Sequence, residues 1–112
     1  MDKLTQYRQI AQQVVTETAA KLNSAENLEA LLSVDNQHGQ YLVLTDGWEG
    51  IERIYGPLVH LEVKPDAKVW LRYDGTDLEI GQELLNRGVL STDLVLAFHS
   101  PQLREYSGYA VA

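Results

Sequence analysis

The apolar residues of the chain divide it into one stretch with helical spacing and a longer one with strand spacing. Leu4, Tyr7, Ala11, Val14, Val15, Thr18 and Leu22 recur at steps of three and four. This predicts an amphipathic helix over residues 3–22, with Gln, Arg and Lys outward. The polar run Asn23-Ser24-Ala25-Glu26-Asn27 ends it. Leu28, Ala30, Leu32 and Val34 then alternate with Glu29, Leu31, Ser33 and Asp35 as a first strand, in which Leu31 breaks the polar side. Asn36-Gln37-His38-Gly39 reads as a hairpin connection to a second strand, 41–48, and Trp48-Glu49-Gly50 as the turn into a third, 51–64. Gly56-Pro57 interrupts that third strand. Proline cannot donate to a ladder, so the point is either a bulge or an edge position.

The next hairpin can be registered from its alternation. Val59, Leu61 and Val63 alternate with His60, Glu62 and Lys64, while Val69, Leu71 and Tyr73 alternate with Trp70 and Arg72. A three-residue loop, Pro65-Asp66-Ala67, pairs Val63 with Val69, Leu61 with Leu71 and Val59 with Tyr73. A two-residue loop would mix the faces, because a slip of one residue moves every side chain to the other side. The last residue of such a loop favours φ > 0, which strains Ala67 by roughly 1 kcal/mol. Thr76 and Glu79 fit a capping box opening a second helix to about Arg87, with Ile80, Leu84 and Leu85 as its stripe and Gly88 as its stop. Ser91-Thr92-Asp93 suits a short helical turn, and Leu94 to Phe98 a fifth, buried strand. The tail, Ser100 to Ala112, has Tyr106, Tyr109 and Val111 as anchors. The order is a helix, a four-stranded antiparallel meander, a second helix and a short C-terminal strand. It predicts an α+β fold with its helices gathered on one sheet face.

The other face is less regular than an open antiparallel sheet should be. His60, Glu62, Trp70 and Arg72 fall opposite the aliphatic row, and Trp70 is large and apolar. This implies a partly apolar second face that meets a partner or a second copy of the chain. Tyr55, His60, Trp70 and Arg72 are the candidate interface residues.

Length and charge narrow the function classes. At 112 residues the chain is expected to form one domain, 1–112, with a sufficient core. It has no cysteine, which excludes disulfides and thiolate metal sites and makes the cytoplasm the default location. No apolar run approaches the roughly 20 residues of a spanning helix, and the polar N-terminus is unlike a signal peptide. The formal net charge of −7 repels a phosphate backbone, and the nine Lys and Arg residues are scattered. A basic protein surface or another copy of the chain is the partner this charge suits.

No catalytic constellation stands out. Asp74-Gly75-Thr76 invites comparison with the Asp-x-Asp-Gly-Thr signature of haloacid-dehalogenase-like phosphatases, but Arg72 stands where the nucleophile would be. A turn and helix cap account for these residues. His38, His60 and His99 could join Asp74 or Asp77 at a metal, yet none shares a ligand spacing with another. No metal or cofactor is expected, and the chain reads as non-enzymatic. Trp70 with Arg72, or Arg53 with Tyr55, could stack nucleic-acid bases on a sheet, against the sense of the overall charge.

Short motifs run through almost the whole chain. They comprise Met1-Asp2-Lys3-Leu4 with Tyr7-Arg8, then Gly47-Trp48, Arg53-Ile54-Tyr55-Gly56, His60, Trp70 and Asp74-Gly75-Thr76. Phe98-His99 with Pro101 and a closing Gly108-Tyr109-Ala110-Val111 complete the set. In this order and spacing the chain resembles the XisI family, the fdxN-element excision controlling factors found chiefly in cyanobacteria. The departure is Tyr73, where family members often carry His before Asp-Gly-Thr. The resemblance implies a part in site-specific excision of a DNA element during heterocyst development, alongside a recombinase and a XisH-like partner of nuclease fold. It supplies no catalytic residues. An acidic subunit controlling a basic, DNA-handling partner would combine resemblance and charge; the alternatives are an antitoxin-like inhibitor and a direct DNA-binding accessory factor.

Overall fold

The computed structural model describes residues 2–23 and 28–112. The linker expected at Ser24 to Asn27 therefore lies outside the described residues. Helix α1 spans Lys3–Leu22, as its periodicity predicts. The Asp2 carboxylate caps it by accepting the Thr5 amide at 2.7 Å. At its other end the Asn23 side chain binds the Ala30 backbone twice, accepting from its N–H at 2.8 Å and donating to its carbonyl at 3.1 Å. The buried stripe comprises Tyr7, Ile10, Ala11, Val14, Val15, Thr18 and Ala19, with Leu4 and Leu22 at its margins.

The strands β1 (Leu28–Asp35), β2 (Gln40–Glu49), β3 (Glu52–Val63), β4 (Val69–Asp74) and β5 (Leu94–Leu96) form one sheet in sequence order. The first four are an antiparallel meander. β5 lies parallel to β4, reached through helix α2 (Ile80–Asn86) and a 3-10 turn at Ser91–Asp93. Helix α1 packs across β1, β2 and β3, and α2 packs against α1, so both cover the same sheet face. Beneath them Tyr41, Val43, Val59, Leu61, Val63, Val69, Leu71 and Leu94 are buried. Each such side chain contributes about 1.5–3 kcal/mol relative to exposure. Leu32, on the inward row of β1, is nevertheless 44% exposed, because β1 is the margin of the sheet and only part of its row lies under the helix.

Two bulges adjust the register. Val43 faces Val59 while Leu44 faces Pro57, which leaves Leu58 as an extra residue and allows a proline inside a central strand. In the next hairpin the Pro65-Asp66-Ala67 loop forms, with Ala67 at φ 64°, and Val63 faces Val69 and Leu61 faces Leu71 as expected. The expected pair of Val59 with Tyr73 does not form. His60 faces Tyr73 and Val59 faces Asp74, so Arg72 is the extra residue and Tyr73 turns to the outer face. This puts Asp74 where it can organise the chain leading into α2. Its Oδ1 accepts from the Thr76 amide at 2.9 Å and hydroxyl at 2.6 Å, and its Oδ2 accepts from the Ile80 amide at 3.3 Å. The capping box expected at Thr76 and Glu79 is thereby replaced. Glu79 directly precedes the helix in a left-handed conformation, φ 53°, and makes no side-chain cap bond.

Gly88 stops α2 as expected. At φ 116° it lets the Gly88 amide reach the Leu85 carbonyl and the Val89 amide reach that of Leu84. The C-terminal segment departs further from expectation. β5 ends at Leu96, and a short helix α3, Pro101–Arg104, follows with Ser100 as its cap. Tyr109 packs on the core, whereas Tyr106 and Val111 are exposed. The anchor is instead Arg104, whose guanidinium donates to the carbonyls of Ala97, His99 and Val111.

A charged cluster ties the two ends of the chain together. The Tyr7 hydroxyl donates to Asp93 Oδ2 at 2.6 Å and accepts from the Leu90 amide at 3.1 Å. Lys3 and Lys68 approach the same carboxylate at 3.0 and 3.8 Å. Burial pushes the Asp93 pKa up, but the bonds from Tyr7 and Lys3 and the two ammonium charges outweigh it and hold it below the ordinary value. Tyr7→Phe is expected to cost about 1.5–3 kcal/mol in denaturant unfolding at pH 7. Because the folded-state pKa is depressed, the stabilisation by ionised Asp93 is complete above the ordinary carboxylate range and lost as pH falls through the folded value. The gap between wild type and variant should therefore close below about pH 4. At α2, Asp74→Ala is expected to cost about 1–2 kcal/mol, as loss of a helix cap does. Glu79→Asn should stabilise by about 0.5–1 kcal/mol by relieving the left-handed backbone, measured in the same way.

Candidate functional site

The sheet face away from α1 and α2 is assembled by the register. It presents Glu29 and Leu31 from β1, and Leu42, Leu44, Asp46 and Trp48 from β2. Arg53, Tyr55, Pro57, His60 and Glu62 come from β3, and Trp70, Arg72 and Tyr73 from β4. Three of the aromatic members are exposed, Trp48 by 54%, Tyr55 by 63% and Tyr73 by 48%, whereas Trp70 is half-buried. Leu31, Leu42 and Leu44 are partly buried between them.

All four candidate interface residues lie on this face, at two separate places. At the β4 end, Trp70 is surrounded by cations, with Lys64 Nζ at 4.0 Å, the Arg72 guanidinium at 4.9 Å and that of Arg104 at 5.2 Å from the ring. Arg72 is held there by Glu62, whose Oε1 accepts from Nε at 3.0 Å and from Nη2 at 2.6 Å. Burial pushes the Glu62 pKa up, and the bonds and charge of Arg72 more than reverse it. His60 Nε2 lies 2.7 Å from Gln40 Oε1, and burial, reinforced by Arg72, lowers its pKa, so the ring is neutral at pH 7. Tyr55 belongs to a second cluster at the far end of β3. There the Arg53 guanidinium sits 5.5 Å from the Trp48 ring and 5.1 Å from the Tyr55 ring, and pairs with Asp46 at 2.5 Å.

Lys64 and Arg104 complete the Trp70 cluster; alternation places Lys64 on this face beside Glu62, whereas Arg104 arrives from the C-terminal segment without any signal in sequence spacing. In the sequence Trp48 stands at the end of the second strand, in the turn after it and in the Gly47-Trp48 motif, with no sign of the Arg53 contact. The face is balanced in charge: Glu29, Asp35, Asp46 and Glu62 are matched by Arg53, Lys64, Arg72 and Arg104. The net charge of −7 is thus carried by the rest of the chain.

The residues weighed as metal ligands do not converge. His38 Nδ1 pairs with Asp35 at 2.7 Å, His60 with Gln40, and Asp74 organises the approach to α2. His99 packs edge-on against Phe98. Among the described residues no group of three or more His, Cys, Asp or Glu side chains is placed to hold a metal ion. No described helix is long and apolar enough to cross a membrane.

The chain matches the family model described as XisI protein over residues 1–111. No curated protein matches it. Among solved structures, it is similar to a XisI-like protein from Anabaena variabilis ATCC 29413, with a TM-score of 0.89 and 33% identity, covering 97% of this chain and 99% of that one. It is also similar to the fdxN element excision controlling factor XisI from Anabaena variabilis ATCC 29413, with a TM-score of 0.86 and 35% identity over 99% of this chain and 100% of that one. Family match and structural likeness extend over the helix, the meander and the C-terminal strand alike, and the chain belongs to the XisI family.

Proposed function

We propose that the chain is a non-enzymatic accessory factor that binds and controls a basic, DNA-handling partner resembling XisH in the excision of a DNA element by site-specific recombination. The observation that carries this reading is the open sheet face, where the exposed Trp48 and Tyr55 rings clasp Arg53 and Arg72 lies on the half-buried Trp70, all on a β-scaffold. These are the residue types that dominate binding energy at protein interfaces. The acidic remainder of the surface supplies long-range attraction to a cationic groove, by the same Coulombic force that draws DNA there. Occupation of that groove would restrain the partner as an antitoxin does. The relative named as an fdxN element excision controlling factor supports placing this control in DNA excision.

A second reading, direct DNA binding, is favoured by one observation: Lys64, Arg72 and Arg104 gather around Trp70 in an otherwise acidic chain. Co-purification with a XisH-like protein, followed by DNA-binding and cleavage assays on each protein alone and on the pair, separates the two readings. A stable complex, with DNA handling found in the partner and altered by this chain, is the expected result. A gel shift by this chain alone, weakening steeply with salt and lost in Lys64→Ala/Arg104→Ala, would establish the second reading instead.

A further inference from the structure

The tip of the β2–β3 hairpin combines features that burden the free chain. The last flanking pairs are Leu28 with Gly47 on one side and Val59 with Asp74 on the other, so at residues 48–53 no described strand flanks the ribbon. The Glu49 and Glu52 pair closes a two-residue loop, Gly50-Ile51. Gly50 has φ 63° and Ile51 is not left-handed, which is the type II′ arrangement with glycine first. Polar residues dominate turns, yet here Ile51 is 99% exposed. Glu49 and Glu52 stand directly opposite, a like-charge pair that destabilises a hairpin, and neither is ion-paired among the described residues. An isolated two-stranded ribbon is marginal, but this one is held by Arg53, clasped between Trp48 and Tyr55, paired with Asp46 and donating to the Gly47 carbonyl at 3.0 Å. The tip is therefore presented on a fixed arm at low further entropic cost.

We infer that this tip is the part of the chain that enters its partner. Ile51 fills an apolar recess, and Glu49 and Glu52 meet cationic side chains bordering it, which relieves their mutual repulsion. The inference rests on the accessory-factor reading above and assigns the contact to one element. Charge selects the occupant. The two carboxylates repel a phosphate backbone, and a symmetric tip-to-tip contact of two copies would bring like charges together. A tip set against the Trp70 corner of a second copy would be a head-to-tail contact, which closes into a ring or grows as a filament. A basic protein groove with an apolar floor satisfies every feature of the tip.

The test is calorimetric titration of a purified XisH-like protein with wild type, Ile51→Ser, Glu49→Gln/Glu52→Gln and, as a remote control, Tyr106→Ser. Sedimentation of each variant and its denaturant midpoint accompany the titration. Ile51→Ser is expected to weaken binding by roughly tenfold or more with its midpoint unchanged. The double Gln variant should bind more weakly, with a flatter salt dependence, and unfold at higher denaturant. Tyr106→Ser should bind as wild type does. Equal binding by Ile51→Ser and wild type would overturn the assignment of the tip and leave the accessory-factor reading standing. Failure of wild type itself to bind would overturn both. Self-association by wild type that Ile51→Ser abolishes would give the tip to a second copy and overturn the heterologous partner.

Discussion

A sheet covered by helices on one face must show two chemically different surfaces from one alternating sequence, and every other feature of this fold accommodates that constraint. Because side chains alternate strictly, an extra residue is the only way to exchange the faces within a strand. The chain uses this twice. Leu58 is inserted beside Pro57, which absorbs the missing donor in a central strand. Arg72 is inserted opposite the His60–Leu61 step, sending Tyr73 outward and Asp74 inward. The second insertion has consequences on both sides of the sheet. Inward, the Asp74 carboxylate satisfies three donors ahead of α2; outward, Arg72 is free to lie on Trp70 and pair with Glu62.

Charged groups then connect elements that the sheet alone would not. Asp93 gathers Tyr7, Lys3 and Lys68, linking the start of α1 to the residue that leads into β4 and to the turn before β5. Arg87 bridges Glu17 of α1 and Glu83 of α2, fixing the second helix on the first. Arg104 folds the C-terminal segment back by three carbonyl contacts while resting against the Trp70 ring. The β5 margin is closed further by a parallel bridge of Val95 with Ala110, so that edge is less open to pairing than a bare strand. What stays uncovered is the outer face and the hairpin tip beyond it.

The acidic character of the chain is unevenly placed, and this shapes how a XisI-family protein of this kind can act. The outer face is locally balanced, so short-range aromatic contact there is not opposed by strong like-charge repulsion. The net negative charge lies elsewhere and acts out to about a Debye length, attracting cationic groups and repelling anionic ones. Carboxylates at the hairpin tip stand where the two regimes meet. Aromatic contact surface and long-range charge are thereby placed on different parts of one small sheet.

Features determined by near neighbours were settled by the amino-acid sequence itself. The limits of α1, the Pro65-Asp66-Ala67 loop with its left-handed Ala67 and the glycine stop of α2 all follow from spacing within a few residues, while at Pro57 the sequence left a bulge and an edge position open and the register chose the bulge. The location of His60, Trp70 and Arg72 on one face follows similarly from alternation, whereas Tyr55 joins them only because the extra residue Leu58 exchanges the faces within β3. Only the tertiary structure decided that Arg72 is bulged, because the competing register differs by a single residue and is selected by distant partners, Glu62 across the strand and the Ile80 amide in α2. It also decided that Asp74 rather than Thr76 serves the helix, that Arg104 rather than Tyr106 or Val111 secures the tail, and that Tyr55 and Trp70 belong to separate clusters. These outcomes depend on side chains that meet across the fold, and no local pattern encodes which of several equivalent charges or rings will arrive.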